Sequence, residues 1–412
     1  MTVLVNHRAA AFVVGTFVSL SLSLSFSLCA CKRTEKPTEK TPSENAPLRG
    51  PSANEPKPAG SGPELRAAQV PAEERPTTGE AKDPLKSADA DMREVLVEYD
   101  RMGAKPISNL SVEEARKQPT LFDAQASLLK KKGKSAPPLP VMKTEDRKNP
   151  GPGGQMKVRI YTPKLDDNSK DKGPLGVVVY YRGGGFVLGD LDTYDPSARA
   201  IANGARAIVV APDYRRAPEH KFPAAHDDAF AAYEWVVKNA PSFGGDPKRV
   251  AVAGESAGGN LAANVALMAR ERKDKGLQQP VHQLLIYPMA QTSLETRSYK
   301  EWANAKPLDR AAMSWFFDKL ARTPQDKEDK RLELVSASMK GAAPATIVLA
   351  EIDPLASDGE ALHKRLEDEG VKAEKKTYEG VTHEFFGLGA SVADAKNAEE
   401  WATGRLKDAL AR

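Results

Sequence analysis

Val250-Ala251-Val252-Ala253-Gly254-Glu255-Ser256-Ala257-Gly258 joins a short apolar run to a serine flanked at two residues on either side by glycine. The unbroken apolar stretch Val250 to Ala253 predicts a buried strand, and the Ala- and Leu-rich stretch Ala257 to Arg272 predicts a helix. The pentapeptide Gly254 to Gly258 thus falls on a strand-to-helix turn. A serine presented on so tight a turn has strained backbone angles, and a side chain at either glycine position would collide with neighbouring chain. The helix that follows aims its free N–H groups at the serine, where they favour developing negative charge. By composition alone G-x-S-x-G would arise in such a chain on the order of one time in ten, so its context carries more weight than the pattern.

Outward from this turn, apolar or β-branched runs predict strands at Met156 to Thr162, Leu175 to Tyr181, Ala207 to Ala211, Leu284 to Tyr287, Thr346 to Ala350 and Lys372 to Tyr378. Helical patterns lie between them at Ala224 to Asn239, Ala356 to Glu369 and Val392 to Leu410. This alternation predicts an α/β fold with a mostly parallel sheet covered by helices on both faces, and places the chemistry at the carboxyl ends of the strands. The catalytic domain is expected over residues 151–412. Residues 91–150 carry helical patterns at Asp91 to Met102 and Ser111 to Lys117 and no strand pattern, which predicts a helical lid. Lys130-Lys131-Lys132 within it reads as a solvated charge run.

A second glycine cluster, Arg182-Gly183-Gly184-Gly185-Phe186, follows the strand ending at Tyr181. Residues without Cβ let main-chain N–H groups approach a ligand closely, as an oxyanion site requires. Of the six histidines, His383 alone lies beyond the last expected strand, in a loop at the edge where Ser256 lies, and is the first choice for a general base. Asp353, just after the strand Thr346 to Ala350, is the orienting carboxylate, with Asp358 as a nearby rival inside the expected helix. The order Ser, Asp, His along the chain is that of α/β-hydrolases.

The set RGGGFVLGDLDTYD, APDYRRAPEHKFPAAHDDAFAAYEW, GESAGGNLAA, EIDPLASDG and VTHEFFG resembles, in this order, the bacterial hormone-sensitive-lipase-like esterases of the α/β-hydrolase fold. The resemblance runs from about residue 91 to the C-terminus. It implies hydrolysis of carboxylic esters of short to medium acyl chains through Ser256, His383 and Asp353, with no metal or cofactor. It also implies that Gly184, Gly185 and Ala257 donate main-chain N–H groups to the oxyanion. Two positions depart from the family pattern, which has His at 182 and most often Asp at 255; Arg182 and Glu255 are expected to support the loop. Arginine is always charged, longer than histidine and only a donor, which predicts an altered loop or a carboxylate partner such as Glu255 or Asp213. A non-catalytic, membrane-tethered binding module on the same fold, or an amidase or lactonase using the same serine, are the alternatives.

The composition of the 412 residues averages unlike segments: 6% aromatic, 31 Pro, 60 Lys and Arg against 56 Asp and Glu, net charge +4 and mean hydropathy −0.49. Two cysteines exclude a disulfide scaffold, the hydropathy excludes a multi-span membrane protein, and the small net charge makes no case for a nucleic-acid partner. Residues 1–30 begin with a basic stretch, continue apolar and uncharged, and end Leu28-Cys29-Ala30, the layout of a signal peptide. Leu28 and Ala30 before Cys31 resemble a bacterial lipobox, which implies cleavage before Cys31, lipidation of its thiol and new amino terminus, and anchoring outside the cytoplasm. An uncleaved anchor and ordinary secretion are the alternatives. Residues 31–90, in which positions 32–90 hold ten Pro, no aromatic residue and ten charges of each sign, predict a disordered, semi-extended tether.

Overall fold

A strand whose residues are apolar throughout needs cover on both faces, and the sheet provides it. The computed structural model describes residues 81–135, 137–165 and 173–411. The expected signal peptide, Cys31 and residues 31–80 of the expected tether lie outside these.

The strands are β1 (Lys143–Gly151), β2 (Gly154–Thr162), β3 (Leu175–Tyr181), β4 (Ile208–Pro212), β5 (Gly245–Glu255), β6 (Gln283–Ile286), β7 (Ala345–Ile352) and β8 (Ala373–Thr382). They form one sheet in the order β1-β2-β4-β3-β5-β6-β7-β8, antiparallel at β1/β2 and β2/β4 and parallel elsewhere. Before the sheet come helices α1 (Pro84–Ser87), α2 (Ala90–Arg101), α3 (Val112–Ala115) and α4 (Leu121–Lys131). After β3 follow α5 (Asp195–Ala205), α6 (Ala224–Asn239), α7 (Ala257–Glu271), α8 (Arg297–Glu301), α9 (Arg310–Leu320), α10 (Ala356–Asp368) and α11 (Ala393–Leu410). Among the described residues no helix is long and apolar enough to cross a membrane.

The two-residue period of a strand divides the core. Val177, Val179, Val250, Val252, Ile347 and Leu349 face a layer built from α6, α7, α9 and α10. Their neighbours Val178, Tyr180, Ala251, Ala253, Val348 and Ala350 face α2, α5 and α11. The expected fold class and the seven strands read from the sequence match this architecture.

Two expected boundaries are corrected. Residues 143–150, assigned to the helical lid, form β1 together with Gly151, paired with β2 from Lys143 opposite Thr162 to Gly151 opposite Gly154. β1 is an edge strand of mostly charged residues in which only Asn149 is buried, so it carries no apolar period to read. Residues 81–90, assigned to the tether, pack on the domain. Asp83 caps α1, accepting from the N–H of Leu85 and Lys86, Ala88 is buried, and the Asp89 N–H donates to Gly380 O at 2.9 Å. An Asp before a Pro at the first helical position is a start signal that average composition hides. The lysine run closes α4, with Lys131 and Lys132 paired to Glu98 and Glu94 of α2.

Candidate active site

Four residues each directly follow the end of a strand: Arg182 after β3, Ser256 after β5, Asp353 after β7 and His383 after β8. The parallel sheet brings these ends to one edge. Ser256 has φ 57° and ψ −119°, the strained turn that the glycines permit. A Cβ on Gly254 would stand 2.0 Å from Gly258 O, and one on Gly258 would stand 2.0 Å from Tyr181 O, so neither position admits a side chain.

His383 Nε2 lies 2.9 Å from Ser256 Oγ, and His383 Nδ1 lies 2.6 Å from Asp353 Oδ2. All three residues are buried. The other Asp353 oxygen accepts from Leu355 N–H at 2.8 Å, which holds the carboxylate in place. Burial opposes the charged form of the His383 imidazole, but the charge and hydrogen bond of Asp353 outweigh it, and the pKa stands above the ordinary value. The rival Asp358 is spoken for: its oxygens accept from the N–H of Ala290 and Gln291 and from the Gln291 side chain. His226, His282 and His363 bond or pair elsewhere, with Asn260, Thr346 and Glu367.

Gly184 and Gly185 have φ of +92° and +58°, and among the described residues none accepts a hydrogen bond from their N–H groups. Ala257 is the first residue of α7, where an N–H has no acceptor within the helix. Gly184 and Gly185 line a cleft with Ser256, and Ala257 lines, with Gly185 and Ser256, a second space beside it.

The expected carboxylate for Arg182 is Asp213, at 3.4 Å. The guanidinium also donates to Leu188 O at 3.1 Å and Tyr214 O at 3.2 Å. It thereby ties the glycine loop to the segment after β4. Glu255 does not support that loop, contrary to expectation. Its carboxyl accepts from the hydroxyls of Tyr180 and Tyr287, both at 2.5 Å, and the Tyr287 ring packs 4.6 Å from that of His383. Burial pushes the Glu255 pKa up to about 7 against the pull of these hydrogen bonds.

Ser256 stands between two spaces. A cleft of about 840 Å³ contains His383 and is walled by Tyr99, Gln118, Arg216 and Glu384 among others. A smaller apolar pocket of about 300 Å³ lies on the Ala257 side, lined by Met289, Met313, Phe317 and Leu320, and Phe316 borders both. Sequence reasoning missed Phe316 and Arg216. Phe316 belongs to α9, whose start is marked by Asp309 accepting from Ala312 N–H, a cap legible before the apolar run that follows.

Residues 178–387 match a family model of the alpha/beta hydrolase fold. The chain is 41% identical over 278 residues to carboxylesterase NlhH of Mycobacterium tuberculosis, covering 66% of this chain and 84% of that one. The chain belongs to the hormone-sensitive-lipase-like carboxylesterases. It is also 33% identical over 303 residues to the ethyl acetate hydrolase of Pseudomonas putida, covering 73% and 92%. An esterase of Pyrobaculum calidifontis superposes with a TM-score of 0.65 at 36% identity, covering 73% of this chain and 94% of that one. This carboxylesterase is therefore a serine hydrolase acting on carboxylic esters, as the motif order implied.

Proposed function

We propose that the carboxylesterase works through Ser256, His383 and Asp353, with Gly184, Gly185 and Ala257 as oxyanion donors. The observation that carries this reading is the relay of 2.9 Å and 2.6 Å from serine to imidazole to carboxylate. His383 Nε2 takes the Ser256 proton as Oγ attacks the ester carbonyl, and the carbonyl oxygen becomes an oxyanion held by main-chain N–H groups. The tetrahedral intermediate collapses, the C–O bond to the alcohol breaks, and His383 returns the proton to the departing oxygen. Water, deprotonated by the same imidazole, then attacks the acyl-enzyme and releases the acid.

The leaving oxygen must lie within reach of His383, so the alcohol portion occupies the wide cleft, which contains that residue. The acyl portion then enters the smaller apolar pocket, whose size favours short chains. Similarity to a relative named an ethyl acetate hydrolase supports that preference. Ser256→Ala is expected to lower kcat on a nitrophenyl acetate by about 10⁵ to 10⁶ with unchanged Tm, and to abolish labelling by a fluorophosphonate. Labelling at another residue, or retained turnover, refutes the assignment.

The charged, apolar and small-residue succession up to Leu28-Cys29-Ala30-Cys31 supports export, cleavage before Cys31 and a lipid anchor on that residue. Mass analysis of the N-terminal peptide tests this; an intact Met1 terminus on the mature protein excludes it.

A further inference from the structure

Of Arg116, Arg182, Arg215 and Arg216, Arg116 and Arg216 line the cleft, and three of the four have carboxylate partners. Arg116 forms a bidentate pair with Glu219 at 2.7 and 2.8 Å. Arg215 pairs in the same way with Asp228 at 2.8 Å, and Arg182 pairs with Asp213. Arg216 differs. Half-buried in the cleft wall, it donates from Nη1 to Gly189 O at 2.9 Å, and among the described residues no carboxylate oxygen stands within 4.0 Å of its nitrogens. Burial and repulsion by Arg182 and Arg116 lower its pKa against the weaker opposite pull of Asp213 and Asp190, yet an arginine remains charged.

A permanent charge that is partly removed from water, with other cations near it and no carboxylate in contact, is a cost to the folded protein that an anion in direct contact relieves. Neither of the two carboxylates that share the cleft is in contact with Arg216. Asp190 accepts through Oδ1 from Asp192 and Thr193, and Glu384 accepts from the Tyr194 hydroxyl. The planar guanidinium matches a carboxylate in shape and offers parallel donors to it. Because Arg216 lines the space that contains His383 and not the smaller apolar pocket, an anion bound there sits on the alcohol side of the scissile bond.

We propose that Arg216 is a specificity residue that receives the carboxylate of an ester whose alcohol portion is a hydroxy acid and whose acyl portion is short. This rests on the assignment of Ser256 and His383, which fixes the alcohol side. The reaction is unchanged: the acyl carbon–oxygen bond breaks, water supplies OH to the acid and H to the hydroxyl of the hydroxy acid.

The test uses the full chain and two acetyl esters of matched shape, 4-acetoxybenzoate and the neutral 4-acetoxybenzamide. The ratio of their kcat/KM values cancels any general damage to the site. In Arg216→Gln this ratio is expected to fall about tenfold or more relative to wild type, through KM for the benzoate, with partial rescue in Arg216→Lys and weakening of the wild-type preference at high salt. An unchanged ratio with both rates lowered overturns the proposal and leaves Arg216 as a support for the loop at Gly189. An unchanged ratio with unchanged rates overturns it as well. Loss of wild-type activity on both esters, with no fluorophosphonate labelling, would instead strike at the triad assignment.

Discussion

The guanidinium carbon of Arg182 lies 4.1 Å over the centroid of the Tyr214 ring, and the Tyr214 hydroxyl donates to the Arg182 carbonyl at 2.9 Å. The two residues lock the start of the glycine loop to the segment after β4, and Arg182 reaches on to Leu188 O at the loop's far side. An imidazole at position 182 is too short to hold Leu188, Tyr214 and Asp213 together. Arg182→His is therefore expected to lower kcat on a nitrophenyl acetate about tenfold, and to cost about 2 kcal/mol of stability through lost buried hydrogen bonds. Steady-state kinetics and thermal melts check this; a faster and equally stable variant would show the arginine to be a handicap.

His383 must be neutral to accept the Ser256 proton. Because Asp353 holds its pKa above the ordinary imidazole value of 6.5, kcat/KM should fall as pH drops through a value higher than 6.5. In Asp353→Asn the raising charge is gone and burial remains. The acid limb of the pH profile is then expected to move below 6.5, with kcat reduced by about 10⁴. An acid limb at the same pH in both proteins refutes the coupling.

Glu255 leads to a prediction about stability. Burial raises its folded-state pKa to about 7 from an ordinary 4.5, so between these values the folded protein binds a proton that the unfolded chain has released. Its contribution to stability is fully present below about pH 4.5 and is lost as pH rises to about 7. Glu255→Gln cannot ionise and should gain on the wild type by up to about 3 kcal/mol between pH 5 and pH 8. Urea unfolding of both proteins at these pH values measures the difference, and an equal gap at both would reject the shift.

Phe316 stands where the smaller pocket meets the cleft. Phe316→Ala joins the two spaces and admits longer acyl chains, each added methylene that is buried being worth about 0.8 kcal/mol or roughly fourfold in kcat/KM. The ratio of kcat/KM for octanoyl over butanoyl nitrophenyl esters is expected to rise at least about tenfold. An unchanged chain-length profile would move the acyl site elsewhere.

Local spacing accounts for what could be read along the chain. Val250 to Gly258 specifies its own strand, turn and helix, because apolar period, missing Cβ atoms and helix propensity all act within a few residues. The same holds for Arg182 to Gly185 beside β3 and for His383 after β8. β1 and the α1 segment escaped because a hydrated edge strand and a single capped turn carry little apolar signal. Contacts between distant segments obey no such local rule. Ser256 and His383 meet at 2.9 Å across 127 positions of sequence, and sequence left Asp358 as a rival until the fold committed its oxygens to Ala290 and Gln291. Residue types and their order thus named the fold and singled out Ser256 and His383. Packing of the sheet and its helices chose Asp213 over Glu255 for Arg182, put Phe316 between two spaces, and left Arg216 in the cleft wall with no carboxylate in contact. Distances and burial arise from the whole chain closing on one core, and no stretch of it contains them alone.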